Sequence, residues 1–176
     1  MFGTIVSVRA AISNHGIISP IFFEETVNQV RYKIMLKSSF IAHLMAKDLP
    51  METQWFMQDG ARPHTANTVL DYLHEMFDLR VMSHRFPEQH GCDKMWPPRS
   101  PDINPCDFFL WRFLKEKVYE RRPENVVQLR ALLVELRRAL SEDFCRKLVT
   151  NNPLQLEASD VDTNTSYVMK VRLLLI

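Results

Sequence analysis

The sequence predicts an α/β fold in which a mixed β-sheet is covered by helices. Three observations support this prediction. Apolar runs of strand length open the chain as a hairpin, further short apolar runs follow, and segments of helical periodicity separate them. The predicted order is hairpin, helix, strand, helix, strand, loop, helix and helix. A chain of 176 residues is long enough to form one domain with a buried core.

The first part of the chain predicts a hairpin and a helix. Residues 4–12 and 17–23 are apolar, and the turn signal of residues 14–16 separates them. Pro20 indicates an edge position or a bulge in the return strand. Residues 28–46 have helical spacing, with apolar residues at Val30, Ile34, Ile41, Leu44 and Met45.

The middle of the chain predicts a buried strand, a helix and a second short strand. Trp55 to Met57 form an apolar run that ends before Gly60. Residues 64–77 predict a helix capped by His64 or Thr65, and residues 79–82 predict a strand. The expected buried face of this helix contains Val69, Leu70, Leu73 and Phe77.

The second half predicts a loop, two helices and a tail. Six residues in 83–106 are Pro or Gly, which argues against a regular element there. Residues 107–119 and 124–149 predict helices separated by Pro123. The second helix is expected to be continuous, with one apolar stripe of Val126, Leu129, Leu133, Leu136, Leu140, Phe144 and Leu148. The apolar residues 168–176 fit no preceding pattern.

Composition and charge indicate an ordinary globular protein, with 46% apolar and 24% charged residues. The net charge of +1 does not by itself indicate a nucleic-acid partner. Residues 112–147 nevertheless contain ten basic and six acidic side chains, so we expect the positive side of the molecule there. Solvated helix faces explain any one of these basic residues equally well.

The spacing of the cysteines and the length of the apolar runs indicate the kind of cellular compartment in which the protein is found. Cys92, Cys106 and Cys145 are odd in number and widely spaced, which favours a reducing environment. The six histidines form no zinc-ligand spacing with them. No apolar run has membrane-spanning length, and the first residues lack a basic segment before the apolar stretch. We therefore expect a protein that is not secreted and has no membrane partner.

Two aspartates are the main candidates for chemistry. Asp59 directly follows an apolar strand, where reactive groups gather in α/β sheets. Asp107 lies at the predicted start of a helix. Each has a structural explanation as well, because aspartate caps turns and is favoured at helix N-termini. Position alone leaves both readings open.

Three nearby residues are candidates for contact with a phosphate. Arg62 and Arg99 flank the two aspartates in sequence, and they either position a phosphate backbone or balance charge. His64 follows Asp59 by five residues. It either approaches a phosphate or orients a carboxylate, and a plain histidine at a helix start remains an alternative.

Together these residues lie in two long motifs. They are Gln58-Asp59-Gly60-Ala61-Arg62-Pro63-His64-Thr65-Ala66 and Trp96-Pro97-Pro98-Arg99-Ser100-Pro101-Asp102-Ile103-Asn104-Pro105-Cys106-Asp107-Phe108-Phe109-Leu110-Trp111. Both resemble the catalytic domain of the Tc1/mariner transposases, which are cut-and-paste DNA transposases of RNase H-like fold. Residues 16–23 look like the third strand of that family, and residues 27–36 look like the helix after it. The resemblance covers roughly residues 6–150.

The resemblance implies a chemistry for the aspartates. Three carboxylates in the family hold two divalent cations, usually Mg²⁺ and alternatively Mn²⁺, for an in-line displacement at phosphorus. By motif match Asp59 is the second carboxylate and Asp107 is the third. His64 matches the family's histidine. The candidate DNA-contacting residues are Arg62, His64 and Arg99 in the two motifs, together with Arg121 and Arg122 in the basic segment 112–147.

The resemblance also implies that the catalytic domain is incomplete. The family's first carboxylate lies on a first strand, whereas no aspartate precedes Asp48 and neither Glu24 nor Glu25 matches a catalytic motif. We therefore expect residues 1–150 to form a partial RNase H-like domain without its first strand, and residues 151–176 to form a divergent tail. On this view the strand before Asp59 lacks a partner, and the two-metal site is incomplete.

The expected function is that of a remnant transposase catalytic domain for metal-dependent DNA cleavage and strand transfer, inactive in this chain. The alternative is a non-enzymatic fragment that binds DNA, pairs with a second copy, or pairs with an intact transposase. An unselected translation of a decayed element is a third reading. The family resemblance implies a nuclear location. Without that resemblance, the expected location is the cytoplasm. No small-molecule substrate is expected.

Overall fold

The computed structural model describes residues 5–13, 15–23, 26–49, 51–91, 109–150 and 165–174. Its strands form one five-stranded mixed sheet in the order β2-β1-β5-β3-β4. The strands are β1 Ile5–Ser13, β2 Gly16–Phe23, β3 Trp55–Gln58, β4 Val81–Met82 and β5 Thr165–Leu174.

Helices flank the sheet. Helix α1, Gln29–Met35, continues through a π-helical segment, Leu36–Ile41, directly into α2, Ala42–Ala46. A single 3₁₀ turn, Met51–Thr53, precedes β3. The α-helices are α1 Gln29–Met35, α2 Ala42–Ala46, α3 Asn67–Phe77, α4 Phe86–His90, α5 Trp111–Arg121, α6 Val126–Ala139 and α7 Glu142–Thr150. Among the described residues no helix is long and apolar enough to cross a membrane.

The tail strand β5 occupies the middle of the sheet. It runs antiparallel to β1, from Ile5 opposite Leu174 to Ile12 opposite Tyr167. It runs parallel to β3, with Gln58 opposite Val168. The expectation that the strand before Asp59 lacks a partner is therefore wrong. The apolar tail, which fitted no pattern in the sequence, supplies the backbone groups that pair with both neighbours.

The sheet has a core on each face. Val8, Ala10 and Ile12 of β1 alternate onto the face covered by α5, α6 and α7. Ala11 and Phe56 lie on the other face, against α1, α2 and α3. The period-2 alternation of β1 therefore places Arg9 on the same face as Ala11.

The predicted N-terminal hairpin is confirmed. Strand β2 is an edge strand, and Ala10 of β1 faces the two residues Ser19 and Pro20, which makes a bulge. Pro20 thus has both of the features expected from the sequence. Gly16 turns the hairpin with φ of 106°, a conformation that favours glycine.

The helix predicted over residues 28–46 exists, but three of the five apolar residues whose spacing predicted it are not buried. Val30, Ile34 and Met45 are each 59% exposed. The buried stripe contains Val27, Tyr32, Met35, Leu36, Phe40, Ile41 and Leu44. The large residues Tyr32 and Phe40 bury more apolar area than the aliphatic residues that the sequence reading favoured, and the helix is oriented accordingly.

The single helix predicted over residues 124–149 is also wrong, because the chain forms α6 and α7 with a break at Leu140 and Ser141. Ser141 Oγ accepts a hydrogen bond from the Phe144 N–H at 3.2 Å, and Glu142 and Asp143 fill the first turn of α7. This is the pattern of a new helix start, and it re-aims α7 so that Cys145 and Val149 enter the core.

Two smaller predictions need correction around α3 and α4. Helix α3 starts at Asn67 after Ala66, so neither His64 nor Thr65 caps it. The expected buried face of α3 is confirmed at all four positions. The region after β4 is not wholly irregular, because α4 forms with Pro87 in its first turn, where a missing N–H costs no helical hydrogen bond.

Candidate functional site

Asp59 directly follows the carboxyl end of strand β3, and its side chain is 30% exposed. The Ala61 N–H donates a hydrogen bond to its Oδ1 at 3.0 Å. This bond is the local turn role that the sequence left open. It uses one carboxylate oxygen and leaves the group in reach of solvent.

His64 is fully buried, and its ring contacts the side chains of Asp59, Tyr32 and Arg9. Nδ1 contacts Oδ1 of Asp59. The ring stacks on Tyr32 with centroids 4.1 Å apart. A side chain without exposed surface has no face for a DNA phosphate, so the structure places His64 in the carboxylate-orienting position and not in the phosphate-contacting one.

Arg9 completes the cluster and was not anticipated from the sequence. It is 1% exposed, its Nη1 donates a hydrogen bond to Nε2 of His64, and its Cζ lies 5.2 Å from the centroid of the Tyr32 ring. Its Nε and Nη2 are buried and have no hydrogen-bond partner within the part of the chain that the structure describes. An arginine inside an otherwise apolar strand was the available signal.

The bond from Arg9 fixes the state of His64. Guanidinium only donates, so Nε2 of His64 must accept, and the ring proton of the neutral imidazole must reside on Nδ1. Nδ1–H then faces the Asp59 carboxylate. The three side chains form one polarised chain from a cation through a neutral ring to an anion.

Gln58 forms hydrogen bonds that hold the residues around Asp59, His64 and Arg9 in place. Its Oε1 accepts from the Tyr32 hydroxyl at 2.8 Å, and its Nε2 donates to the backbone oxygen of His64 at 3.0 Å and to Ser83 Oγ at 2.9 Å. Gln58 is fully buried. These bonds fix the loop that carries His64 against the end of β3 and the beginning of α1.

Burial and neighbouring charges set the protonation states. Burial lowers the pKa of His64 below its ordinary value, against the opposing effect of Asp59. Burial alone would raise the pKa of Asp59, but His64, the Ala61 N–H and Arg9 lower it overall. Burial raises the pKa of Tyr32, so its hydroxyl stays protonated and donates to Gln58. At neutral pH Asp59 is therefore an anion and His64 is neutral.

Gly60 has a different role from the one that its position after a strand suggests. Its φ is not positive, because within the described residues the glycines with positive φ are Gly16 and Gly91. A Cβ at Gly60 would lie 2.6 Å from Cδ2 of His84. Glycine is needed here for the close approach of the His84 ring.

The described residues do not by themselves fit a divalent-metal site. They contain no group of three His, Cys, Asp or Glu side chains that could hold a metal ion. Asp59 is the one sequence-predicted carboxylate among them, since Asp107 lies outside the described residues. The neighbouring strand β5 has no acidic residue in its sequence. A buried guanidinium is an unfavourable neighbour for a cation.

The predicted DNA-contacting arginines differ in placement. Arg62, Arg121 and Arg122 are exposed, and Arg99 lies outside the described residues. Arg137, a further basic residue of the segment 112–147, is half-buried and its Nε donates to the backbone oxygen of Ile17 at 3.1 Å. Arg137 therefore fastens α6 to β2, whereas Arg138 is exposed.

Comparisons with known proteins agree on one relationship. The family described as DDE superfamily endonuclease matches residues 3–130. The Mos1 transposase paired-end complex with the left transposon end is similar over 84% of this chain and 40% of that chain, at 24% identity and a TM-score of 0.65. The Mos1 mariner paired-end complex with Mg is similar over 85% and 42%, at 25% identity and a TM-score of 0.64.

A third structure, the Mos1 mariner paired-end complex with Mn, gives 24% identity and a TM-score of 0.63. The chain spans about two fifths of the length of these Mos1 chains. A comparison with curated proteins finds no match.

Proposed function

Because the chain belongs to the DDE superfamily endonuclease family, as a transposase catalytic domain of Tc1/mariner type with an RNase H-like fold, we propose that it is a remnant that binds DNA without cleaving it. The observation that carries this proposal is the state of Asp59. One oxygen of its carboxylate, Oδ1, contacts both the Ala61 N–H and His64, and the guanidinium of Arg9 contacts the far side of the histidine ring.

The absence of cleavage follows from the ligands that this chain offers. When bound, divalent cations supply charge stabilisation for in-line displacement at phosphorus. Asp59 and Asp107 are the residues proposed to hold Mg²⁺ or Mn²⁺ here. The middle strand of the sheet offers no acidic residue beside them. Two carboxylates next to a buried cation hold a divalent ion weakly, so we expect an incomplete two-metal site.

The test is nicking of supercoiled plasmid in Mg²⁺ or Mn²⁺. We expect equal, background levels of nicked product from the chain and from an Asp59→Asn, Asp107→Asn double variant. Metal-dependent nicking by the wild-type chain that disappears in the double variant contradicts the proposal. Thermal unfolding of both proteins is measured alongside, so that loss of fold in the variant is recognised.

DNA binding is proposed from exposed charge. Arg62 lies in the loop after β3, while Arg121 and Arg122 end α5, and all three are exposed. One matching structure is the Mos1 transposase paired-end complex with the left transposon end. Contacts to phosphate release counterions, so binding should weaken as salt rises. Arg99 and the exposed Arg138 are further candidates for this surface.

Fluorescence anisotropy with a short DNA duplex tests this surface. Replacing Arg62, Arg121 and Arg122 with alanine should weaken binding and reduce its salt dependence by about three charges. A control variant removes an equal charge from exposed positions elsewhere, at Lys37, Arg146 and Lys147. Equal loss in both variants, or no salt-dependent binding by the wild-type chain, contradicts the proposal.

The second candidate function is that of a non-enzymatic fragment that interacts with another transposase chain on DNA. The same exposed arginines support it, because they would hold the fragment on the DNA. Binding that survives the Asp59→Asn, Asp107→Asn change would show that DNA binding does not depend on the two carboxylates or on metal held by them. Pairing with a second copy or with an intact transposase, and a location in the nucleus, remain part of this proposal. Co-sedimentation of the chain with an intact Tc1/mariner transposase on DNA tests the pairing.

A further inference from the structure

We propose that Arg9 is the resident cation of the Asp59–His64 cluster, and that it keeps divalent metal ions away from Asp59. This inference rests on the proposed role of Asp59 as a metal ligand and goes beyond it. It assigns a function to a residue that neither the sequence motifs nor the family match points to.

The first step is the position of Arg9 in the sheet. Arg9 pairs with Lys170 of β5, and β5 separates β1 from β3. The side chain of Arg9 must therefore cross the middle strand to contact His64. His64 lies in the loop after β3, six residues beyond the last strand residue, Gln58. Such a span places a fixed positive charge on the sheet face beside the end of β3.

The second step is the charge itself. The guanidinium is 1% exposed, and arginine does not lose its proton at physiological pH. A buried cation needs a nearby anion, and Asp59 is the acidic group that contributes to its electrostatics. A divalent ion at Asp59 would then face this cation in a region of low dielectric, and among the described residues Asp59 is the one carboxylate of this cluster to offset the three positive charges.

The third step concerns the imidazole as a ligand. His64 would be a natural second ligand beside Asp59 because neutral imidazole binds transition metals. Its Nε2 accepts from Arg9, however, and its Nδ1 contacts Asp59. Both ring nitrogens are in use, so no lone pair of His64 is available to a metal ion while Arg9 is present.

The test uses Mn²⁺ alone, with free Mn²⁺ followed by electron paramagnetic resonance. Four proteins are compared: wild type, Arg9→Met, Arg9→Lys and Arg9→Met combined with Asp59→Asn. We expect Arg9→Met to lower the Kd for Mn²⁺ by about tenfold or more, as removal of one nearby charge implies. Arg9→Lys, which keeps the charge, should behave like wild type, and the combined variant should lose the gain.

Equal Mn²⁺ affinity in wild type and Arg9→Met overturns the proposal, as does a gain that persists in the combined variant. A second measurement needs no substitution at Arg9. In the ¹⁵N spectrum of the wild-type histidine rings we expect His64 as the neutral Nδ1–H tautomer, assigned with a His64→Gln variant. An Nε2–H tautomer or an imidazolium overturns the inference. DNA nicking by the wild type would instead contradict the proposed function.

Discussion

Nη1 of Arg9 donates a hydrogen bond to Nε2 of His64, a residue 55 positions further along the chain. The bond joins β1 to the loop after β3 across the strand that separates them. This contact fixes the tautomer of His64 and holds a positive charge close to Asp59. The following predictions concern the stability of this cluster and of the sheet beneath it.

We expect Arg9→Met to stabilise the fold. Nε and Nη2 of Arg9 are buried without hydrogen-bond partners among the described residues, and such donors lose hydration without compensation. Asp59 stays partly exposed and keeps the Ala61 N–H, so it is not left as a buried, unpaired charge. The substitution leaves Nε2 of His64 without its donor, but it also removes two buried donors that have no partner and a buried charge. The free energy of unfolding should therefore rise by about 1 kcal/mol.

Urea denaturation at pH 7 measures this difference. The same substitution at exposed Arg31 is the control and should change the free energy of unfolding by less than about 0.5 kcal/mol. Destabilisation of Arg9→Met by 2 kcal/mol or more would mean that the guanidinium has acceptors beyond His64.

Tyr32→Phe should destabilise the protein. The Tyr32 hydroxyl is buried and donates to Gln58 Oε1 at 2.8 Å, and its loss leaves that oxygen without this donor. The expected cost is about 1–2 kcal/mol. Tyr119 is 61% exposed, so Tyr119→Phe is a matched control with an expected change near zero. Equal unfolding midpoints for the two variants would contradict the role of the Gln58 network.

Val168→Pro should prevent folding of the sheet. Val168 of β5 lies opposite Ala11 of β1 and opposite Gln58 of β3, so a proline there disrupts a strand paired on both sides. The expected cost is about 3 kcal/mol or more. Circular dichroism and the thermal midpoint follow the loss.

Val126→Pro is the matched control for this strand variant. Val126 is the first residue of α6, and Asn125 before it has φ of −150° and ψ of 170°, which a following proline accepts. We expect this protein to fold normally. A Val168→Pro protein that melts like the control would show that β5 is not part of the sheet in solution.

Cys145 should resist thiol reagents until the protein unfolds. It is fully buried, and burial, with a smaller effect of Glu142, raises its pKa to about 11. In a Cys92→Ser, Cys106→Ser variant at pH 8.5 we expect modification by a chromogenic disulfide only at the rate of unfolding, and rapid modification in 8 M urea. Fast modification of the native protein would contradict the burial of α7.

The same thiol predicts a pH dependence. The unfolded thiol has its ordinary pKa of 9.0, whereas the folded one keeps its proton to about pH 11. The folded state therefore binds more protons between these values, and its contribution to stability is present below pH 9 and is lost as pH rises toward 11. Cys145→Ala should remove this part of the alkaline decline in the free energy of unfolding.

Local patterns predicted the elements whose formation depends on their own residues. The four apolar positions of α3 and the hairpin with its edge proline follow directly from periodicity and turn chemistry. The break between α6 and α7 was missed because one stripe of apolar residues continues through Leu140, and the capping role of Ser141 competes with it.

The parts that the sequence could not predict depend on distant contacts. Nothing in the residues around Arg9 indicates that a histidine 55 positions away will accept its hydrogen bond. The pairing of β5 with both β1 and β3 likewise depends on the space between those two strands, which the sequence does not show and the three-dimensional structure does. The predicted convergence of Asp59 and Asp107 stays a prediction.

The place of β5 in the sheet has a consequence for how the protein is made. A ribosome releases β1 to β4 and the helices α1 to α7 before β5, yet β5 joins the two halves of the sheet. Until then the nascent hairpin and the β3–β4 pair each expose an unpaired backbone edge that other chains can join, which makes the unfinished chain prone to aggregation. Efficient production should therefore depend on chaperone capacity during the interval before β5 emerges.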